Sequence, residues 1–137
     1  MNALDEVYTW RYDPPYDFYD PGEDPFTHPE RLHFVRGPDG RVEAFWEFTV
    51  DGDVIEIGIG LRPDLVGSGL GERSLRSQLD FAHEHWSPRR FRLYVASWNE
   101  RAIRVYKRVG FREVGERHVR RFEKFGEHEF MRMERDA

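Results

Sequence analysis

Between Val42 and Leu61 apolar and polar residues alternate on both sides of the dipeptide Asp51-Gly52. Alternation with a period of two marks half-buried strands, and Asp-Gly readily takes the positive φ angles of a two-residue hairpin turn. Residues 42–50 and 54–61 therefore pair as antiparallel neighbours. In the second run Ile55, Ile57, Ile59 and Leu61 fall on one face, and Glu56, Gly58 and Gly60 on the other. Two glycines on one strand face give up side-chain packing, which marks a place where another group comes close to the backbone.

The rest of the chain is built around this hairpin. Residues 6–10 read as a short opening strand, and Pro14, Pro15, Pro21 and Pro25 exclude a long helix after it. Residues 32–36 form a strand that turns at Pro38, Asp39 and Gly40 into the hairpin. After Pro63 a helix is expected over 69–86, with Leu75, Leu79, Ala82 and Trp86 at core spacing and Pro88 closing it. A strand over 91–95, a helix over 99–109 and strands over 111–122 and 128–134 complete the chain. With 137 residues this is one domain, 1–137, of α/β (α+β) class: a mixed, mostly antiparallel sheet flanked by helices.

Composition removes several functions. The chain has no cysteine, so a thiolate nucleophile, thiolate metal sites and disulfides are excluded, and a cytoplasmic setting is expected. No apolar run approaches the length of a membrane span, so no membrane partner is expected. A net charge of -5 argues against nucleic acid as a partner. The basic residues Arg117, Arg120, Arg121 and Lys124 alternate with Val119 and Phe122, which suits a solvated face or a subunit contact of a homodimer better than an RNA site. His83 and His85 diverge on their helix, and His28, His33, His118 and His128 are scattered, so no metal site is expected.

The segment LVGSGLGE, residues 65–72, places Gly67, Gly69 and Gly71 between the hairpin strand and the long helix. A helix start presents unpaired N–H groups and a partial positive charge, and glycines before it let an anion reach the main chain. The spacing fits neither the nucleoside triphosphate loop nor the dinucleotide fingerprint. Further on, in NERAIRVYKRVGF, Asn99 is placed to cap a helix that Gly110 ends. Ala102 and Tyr106 lie one turn apart, and Asn99 and Tyr106 two turns apart, about 10 Å along the axis. Taken singly, these residues also suit a joining turn, a capping Asn and a core Tyr.

Together the two stretches resemble the GNAT superfamily of acyl-CoA-dependent N-acyltransferases, over residues 53–111. The resemblance implies that the chain has the GNAT fold with a shortened N-terminal helical region. It implies acetyl-CoA as co-substrate, with its pyrophosphate held by the loop and helix start, Val66, Gly67, Ser68, Gly69, Leu70, Gly71 and Glu72. The pantetheine arm would lie along the strand at Ile59 and Leu61, near Asn99 and Ala102, with Tyr106 close to the thioester sulfur. Val66 departs from the Arg or Gln usual in the family, which leaves charge assistance to Arg73, Arg101 or Arg104.

The activity implied is N-acetyl transfer to a primary amine by direct attack in a ternary complex. Tyr106 is the candidate acid, and Glu56 the candidate base, with Glu47 and Asp53 in the same hairpin. Where some members place a glutamate, this chain has Tyr94 and Ser97. The alternative is a non-catalytic acyl-CoA-binding sensor or interaction protein of the same fold, raised by Val66 and by the lack of an evident base. Residues 1–30 hold eight carboxylates against Arg11 alone, and among them stand Trp10, Tyr12, Tyr16, Phe18 and Tyr19. Aromatic faces and carboxylates suit a cationic acceptor, such as a polyamine-like, amino-sugar or peptide amine.

Overall fold

The computed structural model describes residues 1–22 and 25–137; Glu23 and Asp24, two of the eight N-terminal carboxylates, lie outside the described residues. Six strands, β1 (Leu32–Arg36), β2 (Val42–Asp51), β3 (Val54–Leu61), β4 (Arg90–Ala96), β5 (Arg112–Phe122) and β6 (Gly126–Asp136), form one sheet in the order β1-β2-β3-β4-β6-β5. All neighbours are antiparallel except β3 and β4. Among the described residues three α-helices accompany it: α1 (Ala3–Tyr8), α2 (Leu70–Trp86) and α3 (Glu100–Arg108). No helix among the described residues is long and apolar enough to cross a membrane.

The opening segment differs from the expected strand. Asn2 accepts the Asp5 amide at 2.9 Å and caps a helix whose first turn carries Asp5 and Glu6, both favourable at a positive helix end. The helix places Val7, with Trp10 just beyond it, against Val42 and Phe45. Glu6 ties it down further, accepting the Val42 amide at 3.1 Å and pairing with Arg36 at 2.9 Å. Tertiary docking here outweighs the strand preference of Val7, Tyr8, Thr9 and Trp10.

Cross-strand partners project to the same face of a sheet, so the register sorts the side chains. On one face Phe48, Ile55, Ile57, Phe91, Leu93, Val95, Met131 and Met133 form the main core with Leu75, Leu79 and Ala82 of α2. Full burial of one such side chain contributes about 1.5–3 kcal/mol. Trp86, also expected in this core, is 40% exposed, because as the last residue of α2 it reaches only the rim and rests on Phe48. The same register puts Glu47, Thr49, Glu56, Gly58, Arg92, Tyr94, His118 and Arg120 on the opposite face.

That second face is covered only at its ends. The α1 cluster covers the β2 end, and Phe18 covers the β6 end, packed on Ala96 and Phe130. Its middle is open to solvent.

Under the sheet, Gln78 of α2 is fully buried, and its Nε2 donates to the carbonyls of Gly58 at 3.0 Å and Glu47 at 3.4 Å, while its Oε1 has no partner among the described residues. Both carbonyls already belong to the β2–β3 ladder. Gln78→Leu removes the orphaned oxygen along with two supplementary bonds, so stability by chemical denaturation is expected to change by less than about 1 kcal/mol.

Candidate active site

The β3–β4 pairing holds for three residue pairs, Val54–Arg90, Ile55–Phe91 and Glu56–Arg92, and then stops. Beyond Glu56 the two strands separate, and β3 keeps only its β2 partner. The Arg62 amide donates to the Glu43 carbonyl at 2.9 Å, which marks these two as a hydrogen-bonded pair of the ladder. By the alternation of an antiparallel ladder, Gly60 and Gly58 then bond to β2, whereas Ile57, Ile59 and Leu61 turn their main-chain groups toward the gap. Ile59 and Leu61, expected along a pantetheine arm, thus lie on a free strand edge. One of these acceptors is taken: the Tyr12 hydroxyl donates to the Leu61 carbonyl at 2.5 Å.

The loop after β3 opens onto the same gap. Gly67 and Gly69 have φ of 82° and 84°, left-handed values that side chains other than glycine's rarely adopt. A Cβ at Gly67 would meet nothing within 4 Å, and one at Gly69 would meet only Arg73 at 3.8 Å, so the backbone here is bare. Gly71 has a different reason, since its Cβ would press on Leu61 at 3.3 Å. The amides of Gly67, Gly69, Gly71 and Glu72 have no acceptor among the described residues. The Ser68 hydroxyl is used locally, donating to Leu65 and accepting the Leu70 amide. Four free amides at the head of the 17-residue α2 form an anion cradle, and a pyrophosphate fits its donor set and bare surface.

Charges around the loop sort differently from the sequence expectation. Glu72 pairs with Arg108 at 2.8 Å and with Arg76 at 3.4 Å, which holds its carboxyl below the ordinary range and ties α2 to α3. Arg101 stacks on the Tyr16 ring at 3.8 Å, and exposed Arg73 borders the loop. Val66, half-buried, supplies no charge. Val66→Arg is expected to tighten acetyl-CoA binding about threefold to tenfold by calorimetry, through an added charge-assisted bond to phosphate.

On the β4 side of the gap, Asn99 caps α3, its Oδ1 accepting the Ala102 amide at 3.2 Å and its Nδ2 donating to the Tyr19 hydroxyl at 3.3 Å. Ala102 and Tyr106 pack against the main core. The Tyr106 ring stands edge-on to Phe111, and its hydroxyl has no hydrogen-bond partner among the described residues. Burial, and secondarily Tyr19, push its pKa up, so it carries its proton at neutral pH.

A cavity of about 380 Å³ lies on the open face beside the split, lined by Glu47, Thr49, Glu56, Ile57, Gly58, Tyr94, His118 and Arg120. Glu56 pairs with Arg92 at 3.2 Å. Glu47 has no ion pair within 4 Å among the described residues; burial raises its pKa, against the opposing charge of Arg31 and with a smaller push from Glu56, which His28 opposes. Asp53 is apart from the cavity, at the hairpin tip with Arg89. Tyr94 reaches the cavity, whereas Ser97 donates its amide to the Glu129 carbonyl farther along. His118 and Arg120, which the sequence offered no reason to place here, come from β5. A two-residue register shift between Val114 and His118, with Gly115 at φ 71°, accompanies their placement on this face.

The N-terminal aromatic segment is largely engaged with the protein itself. Phe18 is buried among Trp98, Phe122, Phe125 and Phe130; the Asp20 carboxylate accepts the Tyr12 amide at 2.8 Å; Tyr16 carries Arg101.

The family model described as acetyltransferase (GNAT) family matches residues 1–111. Among solved structures, a spermidine/spermine N-acetyltransferase from Vibrio cholerae superposes with a TM-score of 0.69 at 21% identity, over 77% of this chain and 65% of that one. A proposed acetyltransferase from Salmonella typhimurium, solved with its cofactor acetyl-CoA, gives 0.62 at 23% identity, over 72% and 60%. A ribosomal-protein-alanine N-acetyltransferase from Brucella melitensis gives 0.66 at 18%, over 77% and 68%. The chain thus spans about two thirds or less of the length of the first two. A search among the curated proteins finds no match.

Proposed function

Because this chain belongs to the GNAT family of acetyltransferases, we propose that it is an acetyl-CoA-dependent N-acetyltransferase that acylates a primary amine by direct attack within a ternary complex. The observation that carries this reading is the junction of two features: four acceptor-free amides over residues 67–72, and the unpaired edge of β3 that begins where β4 departs.

Acetyl-CoA brings an activated thioester carbonyl. The chain supplies the rest. The amides of Gly67, Gly69, Gly71 and Glu72 bind phosphate oxygens, and the main chain at Ile57 and Ile59 donates to the carbonyl oxygen as charge develops on it. An alkylamine with pKa about 10.4 arrives as a cation, which the carboxylates beside the split attract, and it must lose a proton before attack. Glu56 is engaged by Arg92, so proton removal falls to Glu47, which is half-buried and has no ion-pair partner within 4 Å among the described residues. The Tyr106 O–H donates a hydrogen bond to the departing sulfur.

Calorimetry with acetyl-CoA and a thioester-cleavage assay over a panel of amines test this. Micromolar binding with amine-dependent thiol release is expected. Absence of binding at millimolar acetyl-CoA overturns the proposal, and tight binding without turnover of any amine favours an acyl-CoA sensor.

A further inference from the structure

The cavity beside the strand split carries charges of opposite sign on its two walls, and these specify the acceptor more closely than the word amine does. The inference rests on the N-acetyltransferase reading above. We propose that the acceptor is a small amino acid-like molecule, whose amine is received at Glu47 over Gly58 and whose anionic group is received at Arg120 with His118.

On the β2–β3 wall, two carboxylates face the space: Glu56 is engaged by Arg92, which it shares with Asp51. Glu47 has no ion-pair partner within 4 Å among the described residues, with Arg31 and His28 acting on it only from farther away, and so keeps its oxygens for a ligand. Gly58 stands opposite it in the ladder, and a Cβ there would lie 3.5 Å from the Glu47 Cβ. The missing side chain keeps the approach to Glu47 open.

On the β5 wall, Arg120 lies over the rings of Phe122 and Phe130, at 5.0 and 5.4 Å from their centroids. No carboxylate among the described residues comes within ion-pair distance of it. Rings hold a guanidinium in place through their electron-rich faces without discharging it, so it keeps a bidentate edge for a carboxylate, phosphonate or phosphate. His118 stacks on Phe130 at 5.8 Å, with its ring nitrogens unbonded among the described residues, beside Arg120.

Both walls bound one space of about 380 Å³, equivalent to a sphere about 9 Å across and suited to a small molecule. Glu47 and Arg120 do not pair with each other, so each keeps its hydrogen-bonding edge for a ligand. A zwitterion matches both. A polyamine matches Glu47 but sets its second ammonium toward Arg120, a like-charge approach that selects against it. A second space of about 360 Å³, lined by Tyr94, Glu116, His118 and Arg132, adjoins through Tyr94 and His118 and offers room for the acceptor's side chain.

The test is a steady-state comparison of matched acceptors with the wild-type protein: β-alanine against ethylamine, methionine against 3-methylthiopropylamine, phenylalanine against phenethylamine, with spermidine as the polycation. The carboxylated member of each pair is expected to exceed its partner about 10- to 100-fold in kcat/KM, because a site built to bond a group discriminates against the analogue that lacks it. R120Q is expected to collapse that ratio toward one, and R120K to retain part of it. Spermidine or the simple amines matching the amino acids in the wild type, or a ratio that survives R120Q, overturns the inference while leaving the N-acetyltransferase reading intact. Absence of turnover with every acceptor, despite acetyl-CoA binding, overturns that reading and this inference with it.

Discussion

Glu47→Gln is expected to lower kcat/KM for amine acetylation by about 10²–10⁴-fold, the usual contribution of a positioned base, equivalent to roughly 3–5 kcal/mol of transition-state stabilisation. The substitution is nearly isosteric, and Glu47 makes no ion pair among the described residues, so the fold does not depend on its charge. Its pKa is raised, chiefly by burial. A base works only when deprotonated, so in the wild type activity falls as pH drops through that raised value, and the acidic limb sits above the ordinary carboxylate range. The variant should lose that limb. Acceptors of low basicity, already neutral at the assay pH, need less help and should lose less rate. A pH profile unchanged by Glu47→Gln would assign proton removal elsewhere, with His118 on the facing wall the next group to vary.

Tyr106→Phe is expected to lower kcat about 10- to 100-fold while leaving the acetyl-CoA dissociation constant within about twofold. The split between the two parameters follows from geometry. The Tyr106 hydroxyl bonds to nothing among the described residues, so its removal leaves no orphaned partner and no lost cap. The ring, which packs on the core and meets Phe111 at 6.2 Å, is retained. Burial keeps the phenol protonated, so what the variant loses is a hydrogen-bond donor. Single-turnover measurement separates chemistry from binding, and an equal loss in both would make Tyr106 a binding residue instead.

The acidic and aromatic N-terminal segment also has a structural part. Tyr12, Phe18, Tyr19 and Asp20 span the open end of the split, bonding Leu61 on one side and Asn99 on the other. Phe18 stands edge-on to Tyr19, and the neighbouring Tyr16 ring carries Arg101.

Much of the framework around the proposed coenzyme site was legible from residue order. The hairpin over 42–61, the helices after the loop and after Asn99, and the alternation of Ile55, Ile57, Ile59 and Leu61 against Glu56, Gly58 and Gly60 all follow from periodicity, turn chemistry and caps. The bare loop with free amides followed too, because positive φ at glycine and free amides at a helix start are properties of consecutive residues. The segment over 6–10 was misread although its helix signals, Asn2 with Asp5 and Glu6, are local; what selected them was docking of Val7 and Trp10 onto Val42, a contact between distant segments.

Sequence by itself thus determined the strands, the two long helices and the bare loop, since each depends on interactions within a few residues. Tertiary structure alone decided where β3 and β4 part, which of two neighbouring glutamates lacks an ion-pair partner among the described residues, and that His118 and Arg120 face them. Those outcomes depend on strand order, on the β5 register shift and on the pairing of Arg92, all of them couplings between residues far apart in the chain.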